Sequence, residues 1–258
     1  MKTNKIRAWA ESVSRSARAG RRGAKRNKAV YTATCRRLQD GRGEERHFSE
    51  GVNFYKLVWL YVIGGFAGFI VETIWCYHVY HRIEWHSAMA FTPFNPIYGA
   101  GAVALFLCLR KVPKRNFLLV FFISAAAGTL VELVSSYIQE FAFHSYSWDY
   151  LHLPWNFEGR ICLGMSVAWG LLGVAWAWLL CPAMERLIAA LPQRTGKITA
   201  AVLAAVIAVD AAVTVAAMLR WLARRAGLSP RTAVGVFLDK FFPDARMHCL
   251  FPRIKFFP

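Results

Sequence analysis

Acidic residues are scarce in this sequence: 258 residues hold fifteen Asp and Glu against thirty-two Lys and Arg, a formal net charge of +17. Charged residues of both signs reach only 18%, hydrophobic residues 56%, and the mean hydropathy is +0.31. So little charge excludes a disordered chain and argues against a water-soluble enzyme. Cys35, Cys76, Cys108, Cys162, Cys181 and Cys249 form no C-x-x-C pair, so neither a zinc site nor a disulfide scaffold is signalled. The loop histidines and acids, such as His78 with His81 or Glu140 with His144, follow no metal-ligand pattern. There is no G-x-x-x-x-G-K-[ST] loop; the nearest string, Thr195-Gly196-Lys197-Ile198, lacks the earlier glycine and the hydroxyl. A G-x-S-x-G elbow and nucleic-acid-binding signatures are missing too. The chain is expected to be no enzyme in its own right, to hold no metal or cofactor, and not to bind nucleic acid.

What is present is a series of apolar runs, each near the length of about 20 residues that a bilayer requires. They cover 54–77, 93 or 96 to 109, 117–138, 161–181 and 198–219. Lipid leaves no partner for exposed backbone groups, so these runs are expected as helices. The expected fold is an all-α, polytopic transmembrane bundle of five segments. Six segments, or a re-entrant second one, are the alternatives, since that run is the shortest and opens N-P-I-Y-G-A-G. Three regions follow: a basic tail (1–50), a transmembrane domain (54–219) and a basic C-terminal segment (220–258).

Positive charge sets orientation. Residues 1–50 carry fourteen Lys or Arg against five acids, and Arg110, Lys111, Lys114 and Arg115 crowd the turn after the second run. The outer loops hold one cation each, Arg82 and Arg160. The N-terminus is therefore expected in the cytoplasm, its tail either solvated or an amphipathic helix over 7–39 on anionic lipid. Five spans would leave the C-terminal segment outside, yet it carries eight Lys or Arg. That charge favours an even count with a cytoplasmic C-terminus. Trp75, Tyr77, Trp85, Trp148, Tyr150 and Trp155 read as an interfacial aromatic belt.

The chain also repeats itself. Gly68-Phe69-Ile70-Val71-Glu72 matches Gly128-Thr129-Leu130-Val131-Glu132 at an offset of 60, and an aromatic loop, a polar turn and another apolar run follow each. Parallel repeats bring equivalent polar groups together at their interface. A carboxylate within a span costs about 2.5–3.5 kcal/mol and needs a polar partner. Glu72, Glu132 and Arg160 are accordingly expected as one cluster near the outer face, with Asn95, Tyr98 and Asn156 supplying hydrogen bonds. It would be either a substrate or ion site or a structural bond between the repeats. Asp210, near the middle of the fifth run, is a second buried acid, and Asp149 is a further pathway candidate.

These residues bring a resemblance. The stretch Asn95-Pro96-Ile97-Tyr98-Gly99-Ala100-Gly101, with Trp148-Asp149-Tyr150 and Pro154-Trp155-Asn156-Phe157-Glu158-Gly159-Arg160-Ile161-Cys162-Leu163, resembles the bacterial ABC transporter permease family of type IV. The similarity extends to Glu72, Glu132, Asp210 and the C-terminal Phe242-Pro243-Asp244-Ala245-Arg246-Met247 with Phe251-Pro252. Thr92, Asn95, Leu151 and Trp155 depart from its usual pattern without removing a charge. The resemblance implies a multi-pass permease-like subunit in the bacterial inner membrane, partnered by the bilayer and an ATP-binding subunit. A second copy of the chain stays open as a further partner. The competing reading is a non-transport membrane protein, a sensor, scaffold or lipid-associated accessory, whose tail binds anionic lipid or nucleic acid.

Overall fold

The computed structural model describes residues 47–81 and 87–257. Residues 1–46 of the basic tail, with the amphipathic helix expected there, lie outside the described residues, as do Arg82, Glu84, Trp85 and His86.

The chain is helical almost throughout: α1 (Phe54–Tyr80), α2 (Pro96–Leu109), α3 (Phe117–Phe143), α4 (Leu163–Ala175), α5 (Cys181–Ala189), α6 (Gln193–Arg225), α7 (Ala233–Phe241) and α8 (Asp244–Leu250). Asparagine starts the first three. The side chains of Asn53, Asn95 and Asn116 accept from the amides of Lys56, Ile97 and Leu119 and so satisfy N–H groups that lipid could not. His81 and His144 end α1 and α3 in left-handed conformations. A π-helical turn, Trp176–Leu180, joins α4 to α5. Pro182 has no amide to give Trp178, and the helix widens just before it, Cys181 N–H reaching back to the Trp176 carbonyl.

Four helical stretches among the described residues are long and apolar enough to cross a membrane: Phe54–Val79, Phe117–Phe143, Leu163–Ala189 and Gln193–Arg225. Their outward faces carry Phe66, Ile70, Leu118, Phe122, Leu130, Ile138, Leu171, Val202 and Val209, an exposure untenable in water and natural in lipid. The expected second span folds differently. Its helix α2 has fourteen residues, about 21 Å, and begins deep in the bundle, where the Asn95 amide meets the Gly65 carbonyl. Gly65 lies about 16 Å along α1 from Phe54, so α2 starts partway along α1 and is preceded by an irregular, bent segment, 87–95. Close approach makes this possible: a Cβ on Gly64 would sit 2.4 Å from that of Ala102, and one on Gly65 2.2 Å from the Phe94 ring.

Two apolar cores close the ends. One gathers Phe48, Leu60, Phe106, Leu109, Trp176 and Ile188, with the His47 ring on the Leu191 carbonyl. The other gathers Ala90, Trp221, Leu238, Phe242, Met247 and Phe251. At this second end β1 (Ser145–Tyr146), following α3, pairs antiparallel with β4 (Lys255–Phe256). The C-terminal segment therefore sits with the loops that follow α1 and α3, opposite the basic turn at 110–115. The segment's cations are largely spent locally: Arg220 and Arg224 grip Asp239, Arg224 also holds Asp244, and Arg225 lies on the Phe256 ring.

Candidate polar site between the repeats

The two matched glycines do the same work. A Cβ on Gly68 would lie 2.2 Å from the Tyr98 ring, and one on Gly128 2.2 Å from the Trp169 ring. Each glycine thus seats an aromatic of the following helix. The two rings meet at the repeat interface with centroids 6.4 Å apart. One turn beyond each glycine stands its acid. Glu72 accepts from Asn95 Nδ2 at 3.0 Å, and Glu132 Oε1 accepts from the Tyr150 hydroxyl at 2.8 Å. Both carboxylates lie within electrostatic reach of the Tyr98 phenol. Glu132 is only 6% exposed, its Oε2 has no hydrogen-bond partner, and the neutral groups Tyr150 and Trp169 act on it. Burial, then the Glu132 charge, pushes the Tyr150 hydroxyl well above the usual phenol range.

Arg160 pairs with other acids than Glu72 and Glu132. Arg160 joins Glu140 and Glu158, donates to Ser136 Oγ at 3.1 Å, and stacks 4.1 Å from the Tyr137 ring centroid. It thereby bonds the second loop to α3 about two turns beyond Glu132. Hydrogen bonds from Tyr137 and Arg160 hold the Glu158 carboxyl below the usual carboxylate range. On the Glu72 side a cation comes from the C-terminal segment, Arg253. Its guanidinium donates to Cys76 Sγ at 3.0 Å and acts on Glu72, one turn away on α1. Nothing in the spacing of the sequence pointed to it.

Asn156 and Asp149 build the loop rather than line the site. Asn156 accepts from the Gly159 amide and donates to the Leu153 carbonyl. Asp149 accepts from the Leu151 amide. Glu158 and Gly159 both take left-handed φ, 51° and 67°, to turn the β2–β3 hairpin of Asn156–Phe157 and Ile161–Cys162. Trp148 and Tyr150 leave the expected aromatic belt, Trp148 to bond the Arg160 carbonyl at 2.9 Å and Tyr150 to reach Glu132. Trp75, Tyr77 and Trp155 stay exposed. Asp210 is occupied elsewhere: it accepts from the amides of Phe91 and Thr92 and from the Thr92 hydroxyl. Among the described residues no three His, Cys, Asp or Glu side chains form a metal-binding group.

A family model described as "Putative ABC-transporter type IV" matches residues 59–215. The chain belongs to this family. Membership and four helices of spanning length make it a transport-related membrane protein. The type IV segment contains both glycine–acid pairs, Asn95, Tyr98, Tyr150, Arg160, Trp169 and Asp210; Arg253 lies beyond it. No curated protein and no solved structure matches the chain.

Proposed function

We propose that this chain is the membrane-embedded, permease-like subunit of a transport system in the bacterial inner membrane, with its polar site at the repeat interface. The observation that carries the reading is that the matched acids Glu72 and Glu132 each hold a hydrogen bond one turn beyond the glycine seats of the touching Tyr98 and Trp169 rings. Carboxylates inside a span are costly, and the sequence retains one in each repeat, where transporters of repeated architecture place their sites. The chain would cross the membrane five times, counting segment 87–95 with α2 as one traverse, with the N-terminus cytoplasmic and the C-terminal segment outside. The basic turn at 110–115 would then present a surface on which an ATP-binding subunit docks. Hydrolysis belongs to that partner, because the chain carries no phosphate-binding loop of its own.

Purification of the tagged protein in mild detergent, with quantitative mass spectrometry, tests the reading. A P-loop ATPase is expected in stoichiometric amount. Its absence across several detergents, with the bundle intact, would overturn the ATP-driven form of the proposal.

A further inference from the structure

Helix α6 is too long for the bilayer. Its thirty-three residues reach about 50 Å, against about 30 Å of hydrocarbon. Between Lys197 and Arg220 its one charge is Asp210, so the apolar length ends at Leu219 and the last turns stand in the headgroup layer. There Arg220 and Arg224 hold Asp239 and fix α7 at the membrane boundary. A helix packed on a protein in water turns its polar side outward. Helix α7 does the reverse. Gly235 and Leu238 are buried, while Val234, Phe237 and Phe241, spaced along one face, are 67%, 60% and 39% exposed. The Phe237 and Phe241 rings stack with centroids 5.6 Å apart, and Phe91 extends the ridge at 6.2 Å from Phe241. The Phe91 amide bonds Asp210, about 14 Å short of Leu219 along α6, so the ridge continues into the depth that lipid covers.

Cations rim the ridge. Asp239 and Asp244 are the only acids in 226–258, and arginines of α6 take both. Arg231 and Lys240 stay exposed, and Arg246 lies over the Phe241 and Phe242 rings, 4.4 and 5.0 Å from their centroids. Apolar rings edged by guanidinium and ammonium groups match the boundary between acyl chains and phosphates. A second copy docking here by two-fold symmetry would set this positive rim against itself, which like charges disfavour.

We propose that α7 is an interfacial anchor: its Val234, Phe237 and Phe241 face lies in the leaflet at the boundary of acyl chains and headgroups, and Arg231, Lys240 and Arg246 bind the phosphates of anionic phospholipid. Because Phe241 packs on Phe91 and Leu238 shares a core with Ala90, lipid held there also braces segment 87–95. The proposal needs the membrane placement of α6 and not the permease reading.

The test places the full chain in vesicles of phosphatidylethanolamine and phosphatidylglycerol, with the photoreactive p-benzoylphenylalanine in place of Phe237 and, as a deep reference, in place of the exposed Val209 in the middle of the apolar run of α6. Mass spectrometry of the adducts reads both the partner and the carbon attached. Position 237 is expected to give phospholipid adducts at the glycerol and the first acyl carbons, and position 209 adducts toward the chain ends. Phosphatidylglycerol should be enriched in the adducts at 237 about fivefold over its share of the vesicle, and fall toward that share when Arg231→Gln and Lys240→Gln are combined. If the chain does not accept the probe at 237, Val234 carries it instead. Adducts with a second copy, no adducts, or a depth no different from position 209 would each overturn the anchor. Phospholipid adducts at the boundary without enrichment in phosphatidylglycerol would overturn the phosphate-binding role of the three cations.

Discussion

In the first repeat unit Gly68 seats Tyr98, and Glu72 is served by Asn95 from the cap of α2 and by the Arg253 charge. In the second, Gly128 seats Trp169, and Glu132 is served by Tyr150 from a loop, with one oxygen left bare. The scaffold is repeated closely; the polar partners are not. Strong steric constraints, a ring against a glycine, keep the backbones alike, while the groups around the acids differ within that frame. The entry segments differ too. Segment 87–95 borrows Asp210 and Thr214 from α6, with the Ala90 amide on Thr214 Oγ1, whereas the second loop ties its own hairpin through Asn156.

The comparison breaks most visibly at the glycines. Gly68→Val and Gly128→Val should each cost about 3 kcal/mol by forcing branched side chains into rings held by packing. Folded yield and thermal unfolding read this, and native-like stability in either variant would remove the equivalence of the two seats. Asp210→Ala comes next, about 2 kcal/mol, because buried backbone donors lose a charged acceptor. Asn156→Ala should cost less, about 1 kcal/mol, its loop being near water. Equal losses would deny the difference between the entry segments.

Smaller effects separate the acids. Glu72→Gln should destabilise by about 1 kcal/mol, because it weakens the charge-assisted hydrogen bond from Asn95 Nδ2. Glu132→Gln should be neutral or stabilising, since it removes a buried charge that forms no ion pair among the described residues. A larger loss at Glu132 would show that its bare oxygen carries a bond in the folded protein. The smallest effect is in pH. Arg220, then Arg224, hold the Asp239 carboxyl below its usual range, so its stabilisation is present above the unfolded value, about 4, and fades as pH falls through the folded one. Thermal stability should fall in acid, and less steeply in Asp239→Asn; an unchanged slope would take Asp239 out of the account.

Much of this was legible in the sequence. The Gly-x-x-x-Glu match marked the two equivalent helix segments, and Glu72 bonds Asn95, a residue the sequence had set beside it; that both glycines seat rings is seen only in the structure. Arg160 misled because an arginine after a loop lies nearest whatever acid stands highest on α3. That acid is Glu140, about two turns beyond Glu132, and helix spacing alone cannot rank acids along one face. Arg253 was invisible because 177 residues separate it from Cys76 and no local pattern records a C-terminal segment folding back. The short α2 was foreseeable from its length, whereas its start partway along α1 follows from three-dimensional glycine packing. In the C-terminal segment Arg220 and Arg224 found Asp partners that a count of basic residues cannot show.

The debt of segment 87–95 to Asp210 also orders events in time. The amides of Phe91 and Thr92 leave the ribosome more than a hundred residues before the carboxylate that receives them, and lipid offers nothing in the interval. The first hairpin thus cannot be completed while it is being made. It waits, half inserted, for the last long helix, so a nascent chain stopped before Asp210 should be a substrate for membrane quality control rather than a smaller version of the finished protein.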